Sequence, residues 1–139
     1  MQMAEIEARF KIHDLFARYV KSVDYCDEAE LFACFTEDGV LETPVLGGRF
    51  AGREGQRQFL KNSRKTNEGS QLRHFFTNLE VELDGDRARA RAYLLVSTTK
   101  EGKTTILHGG HYDCRLVKVA ENWLFEYRRV FIDSVPYPG

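Results

Sequence analysis

The sequence predicts an α+β fold in which N-terminal helices cover one face of a strongly curved, mainly antiparallel sheet. Two observations predict the layers. Apolar residues recur at three- and four-residue steps in three segments before Lys65, whereas the rest of the chain alternates with a period of two and no helical interruption. A third predicts the curvature: the apolar phase Leu72, His74, Phe76 switches to Leu79, Val81, Leu83, which places a bulge or bend near Thr77-Asn78. With 139 residues, 42% of them apolar, residues 1–139 fit a single domain that buries roughly two thirds of its unfolded surface and has room for a cavity.

Taken in order, Glu5 to Tyr25 carries Ile6, Phe10, Ile12, Leu15, Phe16, Tyr19, Val20 and Val23 at helical spacing. Asp24 falls one turn beyond Val20, near the buried stripe and at the end of the helix where the dipole disfavours an anion, so it needs a partner. Asp27 and Glu30 read as N-cap and N3 of a short second helix through Leu31, Phe32 and Phe35. Thr36 to Gly39 reads as a turn, Val40 to Val45 as a short strand confined to an edge by Pro44, and Arg53 to about Lys65 as a third helix. Strands follow from Leu72 to Leu83 and from Arg87 to Thr99, with turns at Asp84-Gly85-Asp86 and Lys100 to Lys103.

The last element is a long hairpin, Thr104 to Val119 and Trp123 to Ile132, joined at Ala120 to Asn122. Alternation in its first arm puts Gly109, His111, Asp113 and Arg115 on one face and His108, Gly110, Tyr112, Cys114 and Leu116 on the other. A His and an Asp two residues apart, beside a Gly-Gly pair that permits close approach, make the first face a candidate site wall. His74, at the predicted bend, is either a core residue or a base aimed into a pocket.

The net charge of −1, with 29% charged residues, gives no electrostatic footprint for nucleic acid. The one locally basic segment, Lys61 to Lys65, lacks interleaved aromatics and reads as a solvated helix end. Cys26, Cys34 and Cys114 are odd in number and without C-x-x-C spacing, which argues against disulfides and a zinc knuckle. The charged residues among the first ten and the lack of a span-length apolar run predict a cytoplasmic protein that does not meet the membrane. No phosphate-cradling glycine motif or closed ligand set is present, so neither nucleotide nor metal is expected.

The series Arg18-Tyr19 and Asp24, Glu37-Asp38-Gly39, Gly52, Arg73-His74 and Asn78, Leu83 to Asp86, Gly110 to Asp113, Trp123 and Arg128-Arg129 resembles a SnoaL-like domain of the nuclear-transport-factor-2-like superfamily, from about Ile6 to Asp133. That resemblance implies a cone-shaped α+β barrel with a deep pocket between three helices and a bent sheet. It also implies roles. A helix-end Asp paired with a His on the following long strand, as in the superfamily's dehydrochlorinase, matches Asp24 and His74. A Tyr five residues before the Asp, as in its bile-acid dehydratase, matches Tyr19. Polar residues on the fifth strand that contact substrate, as in scytalone dehydratase, match His111 and Asp113. The second carboxylate of the bile-acid enzyme has Val96 at its place here, so Asp113 would have to stand in for it.

The expectation is a cofactor-independent lyase or isomerase with Tyr19, Asp24 and His74 as its catalytic residues. His111, Asp113, Arg128, Phe76 and Tyr93 would bind a hydrophobic, cyclic or polycyclic small molecule, with Phe16, Phe35 and Phe59 as further lining. The protein would assemble as a homodimer or homotrimer through the open face of the sheet. A carboxylate on one imidazole nitrogen fixes the tautomer and strengthens the other as a base. The other readings are a non-haem iron site from His74, His111 and Asp24 or Asp113, a nucleophilic Cys114, and a non-catalytic binding or assembly module like the small subunit of a ring-hydroxylating dioxygenase.

Overall fold

In the computed structural model, which describes residues 1–135, three helices pack on a six-stranded sheet, two of them before its first strand and the third between its second and third. The last four residues of the expected domain lie outside this description. Helix α1 (Met3–Asp24) opens with a capping box between Gln2 and Glu5 and buries Ile12, Phe16, Tyr19, Val20 and Val23 against the sheet. Helix α2 (Glu28–Cys34) starts where expected, with the Asp27 side chain accepting from the Glu30 backbone N–H at 3.1 Å. Helix α3 (Gly52–Thr66) turns Gln56, Phe59, Leu60 and Ser63 inward.

Strands β1 (Phe35–Glu42), β2 (Arg49–Ala51), β3 (Gln71–Asp84), β4 (Arg87–Lys100), β5 (Lys103–Val119) and β6 (Asn122–Ile132) are arranged β2-β1-β6-β5-β4-β3. The pairs are antiparallel except β1 with β6, which run parallel. The sheet is not closed, since β2 and β3 remain as edges.

The first strand departs from expectation. Thr36 to Gly39 is part of β1 rather than a turn, and Pro44 lies past the strand's end rather than holding it to an edge. The segment looks turn-like because its pairing with β6 is interrupted between Phe35 and Val40. Buried Gln56 donates to the Gly39 carbonyl at 3.0 Å, which satisfies a backbone group the broken ladder leaves open.

The predicted bend is present. The β3–β4 register shifts between Thr77 and Glu80, and Asn78 takes a left-handed φ of 55°. A second shift, between Val96 and Ser97 against β5, advances the phase of β5 just before His108.

Candidate functional site

The C-terminus of α1 is tied to the start of β3 by three hydrogen bonds. The Asp24 carboxylate accepts from the His74 backbone N–H at 3.0 Å through Oδ2 and meets the His74 ring Nδ1 at 2.5 Å through Oδ1, while Gln71 donates to the Asp24 carbonyl at 3.1 Å. The side chains are nearly closed off from solvent, 6% exposed for Asp24 and 15% for His74. With Nδ1 engaged, Nε2 is the nitrogen left to a ligand.

His74 lines a cavity of about 550 Å³ between the inner face of the sheet and helices α1 and α3. Its walls are predominantly apolar, among them Val23, Phe59, Leu72, Val96, Val130 and Ile132, with Tyr19 and Tyr112 contributing rings. Such a space suits a hydrophobic small molecule fixed by few polar groups. Register puts His74, Val96 and His108 in one row across three adjacent strands. Among the described residues His108 has no hydrogen-bond partner at Nδ1, and burial first, then neighbouring His74, lowers its pKa, so it stands in the cavity as a neutral imidazole near pH 7.

Behind Tyr19 and Tyr112 lies Arg128, which is fully buried. Its guanidinium carbon is 3.8 Å from each of those ring centroids, 4.7 Å from Phe16 and 4.6 Å from Phe125. It donates from Nη1 to Cys114 Sγ at 3.5 Å, and among the described residues no oxygen, nitrogen or sulfur meets Nε or Nη2 in hydrogen-bond geometry. Among the described residues it forms no salt bridge with a carboxylate, and aromatic faces surround its charge. Burial pushes the Tyr112 phenol up to about 12 and Tyr19 higher still, with the Arg128 charge opposing both shifts, so each phenol keeps its proton at neutral pH.

The other predicted contacts fall elsewhere. His111 and Asp113 occupy the outer face of β5, where His111 stacks on Phe131 at 4.4 Å and Asp113 takes a bidentate pair from Arg89 at 3.0 and 2.7 Å. Arg89 holds the Asp113 carboxyl below the usual range, and Asp113 cannot replace the absent carboxylate at Val96 because the sheet separates them. Tyr93, 62% exposed, is the cross-strand neighbour of His111 on that outer face. Phe76 packs on His13 and Phe16 and does not line the cavity. Phe59 lines it, whereas Phe16 and Phe35 serve the aromatic core. Arg128 supports the floor from behind instead of contacting a ligand.

The close approach at Gly110 is made by β6: a Cβ there would sit 1.9 Å from the Phe131 carbonyl oxygen. The iron set of His74 with His111 is not assembled, and among the described residues no cluster of three or more His, Cys, Asp or Glu is placed to hold a metal. Burial raises the Cys114 thiol to about 11, which suits a core residue and not a nucleophile.

His108 and Tyr112 were the polar groups that alternation placed on the other face of β5. The signal for their role was their phase: they share it with Cys114 and Leu116, both buried, so that face is the inner one.

Residues 4–129 match the model of the SnoaL-like domain. The chain belongs to this family. Solved structures extend the likeness over nearly the whole fold. Rv3472, a Mycobacterium tuberculosis protein of unknown function, is 30% identical with a TM-score of 0.83, over 95% of this chain and 75% of that one. A Catenulispora acidiphila protein solved in complex with S-DNPA is 26% identical with a TM-score of 0.77, over 91% and 93% of the two chains. An NTF2-like protein with a cystatin-like fold from Novosphingobium aromaticivorans is 20% identical with a TM-score of 0.84, over 96% and 87%, and shares the fold. No protein with a curated functional description matches the chain. Among the described residues no helix is long and apolar enough to cross a membrane.

Proposed function

We propose that this SnoaL-like protein is a cofactor-independent lyase or isomerase that removes a proton from a hydrophobic, cyclic or polycyclic small molecule held in the cavity. One observation carries the reading: an imidazole whose Nδ1 is held by a nearly buried carboxylate while its ring borders an apolar cavity. Membership of the family, and the likeness to the Catenulispora acidiphila protein solved in complex with S-DNPA, support a small-molecule-binding or isomerase-type role.

In this reading His74 Nε2 takes a proton from carbon next to a carbonyl, and the C–H electron pair moves into an enolate. Asp24 stabilises the imidazolium that forms, a base of this kind being worth roughly 100- to 10,000-fold. Tyr19, kept protonated by burial, donates a hydrogen bond to the enolate oxygen rather than giving up its proton. The imidazolium then passes its proton to a departing hydroxide, which leaves as water, or returns it to another carbon of the same molecule. Both outcomes balance without a redox partner. Three free thiols, Cys34 and Cys114 buried, support a reducing cytoplasm as the place of work.

Screening cyclic hydroxy-ketones and β-hydroxy thioesters for loss of water or a double-bond shift, followed by His74→Ala on any substrate found, tests the proposal. The variant is expected to lose almost all turnover. Turnover at the wild-type rate would sink the role of His74.

A further inference from the structure

Asp24 and His74 stand in the wall between two spaces. His74 borders the apolar cavity, whereas Asp24 borders a second, more open cleft of about 540 Å³ at the C-terminal ends of α1 and α3. Val23, Ser63, Asn67 and Leu72 border both, so the two spaces lie back to back. Their chemistry differs. Among the described residues the cavity is lined by no Lys or Arg, while the cleft is lined by Lys61, Arg64 and Lys65.

These three cations sit at i, i+3 and i+4 on α3 and project from one side of the helix. Many of the chain's other cations pair with carboxylates, Arg18 with Glu30, Arg57 with Glu28 and Glu54, Arg87 with Glu126, Arg89 with Asp113, Arg91 with Glu80 and Glu82, whereas Lys21, Arg73, Lys100, Lys103 and Arg115 stand singly without a salt bridge among the described residues. Lys61, Arg64 and Lys65 form no salt bridge among the described residues. Two carboxylates border the same cleft, Asp24 and Glu68, and Asp24 is already occupied by His74. The cleft therefore carries a net positive charge beside an apolar chamber.

We infer that the ligand is amphipathic: its hydrophobic body fills the cavity and an anionic arm passes over the shared border at the partly exposed Asn67 into the cleft, where Lys61, Arg64 and Lys65 receive it. An anion left inside the apolar cavity would lose its hydration without an ionic partner to replace it. In the half-solvated cleft three cations at several ångströms attract it while it stays wet, an effect on the order of tenfold in affinity at low salt. The inference rests on the small-molecule reading above. The anion is a carboxylate of the molecule itself or the phosphates of a thioester carrier, chemistries that cations on flexible stems receive alike.

Three fluorescent probes distinguish these cases: dansylaminoundecanoate, its methyl ester and its coenzyme A thioester, titrated at low and high salt against the wild type and the charge-reversed Lys61→Glu/Arg64→Glu/Lys65→Glu protein. All three positions are exposed, so the variant is expected to fold. In the wild type the acid, the thioester or both are expected to bind about tenfold tighter than the ester at low salt. Charge reversal should erase that advantage and leave the ester unchanged. Loss for the acid assigns the cleft to a carboxylate, and loss for the thioester alone assigns it to phosphates. Equal binding of all three probes, or an advantage that survives charge reversal, would overturn the inference while the cavity stands. Failure of the ester to bind, or ester binding unmoved by Val96→Trp, which fills the cavity, would instead overturn the reading on which it rests.

Discussion

Asp24 grips His74 twice, one carboxylate oxygen on the backbone N–H at 3.0 Å and the other on the ring Nδ1 at 2.5 Å. The backbone contact fixes where β3 begins relative to the end of α1, and the ring contact fixes which way the imidazole faces. Asp24→Asn separates these roles, because an amide oxygen can still accept from the backbone N–H while the negative charge is gone. The expected result is a folded protein with turnover lower by roughly 100-fold. Circular dichroism checks the fold and steady-state kinetics the rate, and wild-type kinetics in Asp24→Asn would make the contact structural.

Tyr19 tests the other half of the site. Tyr19→Phe keeps a ring against the Arg128 guanidinium, which lies 3.8 Å from the centroid, so the fold should survive. What disappears is the hydroxyl, at an expected cost of about 2 to 4 kcal/mol in the barrier if it meets developing oxyanion charge. A loss confined to KM, with kcat intact, would assign Tyr19 to ground-state binding instead.

Arg128 makes a stability prediction that runs against the usual treatment of a buried ion. Its charge is compensated by ring faces and one thiol rather than by a carboxylate. Arg128→Met keeps much of the side-chain volume and removes the desolvation penalty, so thermal stability should be unchanged or higher. Arg128→Ala leaves a cavity among four aromatic rings and should destabilise by about 3 kcal/mol or more. Denaturant melts of both variants check this, and a large loss in Arg128→Met would show that the charge itself holds the rings together.

That Asp24 requires a partner was legible because helical spacing sets it one turn beyond Val20 at a helix end, whereas His74 as that partner was implied only by the resemblance to SnoaL-like domains. His111 and Asp113 misled because alternation divides a strand into two faces without saying which is inside. The deciding information was cross-strand: Asp113 is opposite Arg91 and bonded to Arg89, a surface ladder that becomes visible only when β4 and β5 are in register. Arg128 was hidden for the same reason. Reading Arg128-Arg129 as a sequence gives two polar residues, whereas pairing with Cys114 turns Arg128 into the aromatic core. The helices, the bend at Asn78 and the hairpin needed no partner strand to be recognised, and the parallel pairing of β1 with β6 did.

His108 links the cavity to acid stability. Burial, and then His74, depresses its folded-state pKa below the ordinary imidazole value. For a base with a depressed folded pKa the unfolded chain binds the extra proton, so stability rises with pH across that window. The contribution is present above the ordinary imidazole range and is lost as pH falls through it toward the folded value. Melting temperatures measured from about pH 7 down to pH 5 should therefore fall less steeply for His108→Gln than for the wild type. Parallel curves would show that His108 is not the group responsible.

The outer face of the sheet predicts assembly. Phe75, Tyr93, Leu95 and Ile106 are 50, 62, 43 and 63% exposed, and the register brings Phe75 beside Leu95 and Thr77 beside Tyr93 in one patch. On the same sheet Arg89 and Arg91 pair with carboxylates of neighbouring strands, and Arg87 pairs with Glu126 two strands away on β6. A patch of this kind on a lone chain costs solubility, and a second copy covers it with the same surface. We propose a homodimer through this face, which needs about 800 Å² from each subunit to be stable. Light scattering should give twice the mass of one chain, and Tyr93→Lys with Ile106→Lys should shift it to monomer by placing like charges at the centre of the interface. A wild-type monomer at tens of micromolar, or a dimer indifferent to both substitutions, would remove this face from the assembly.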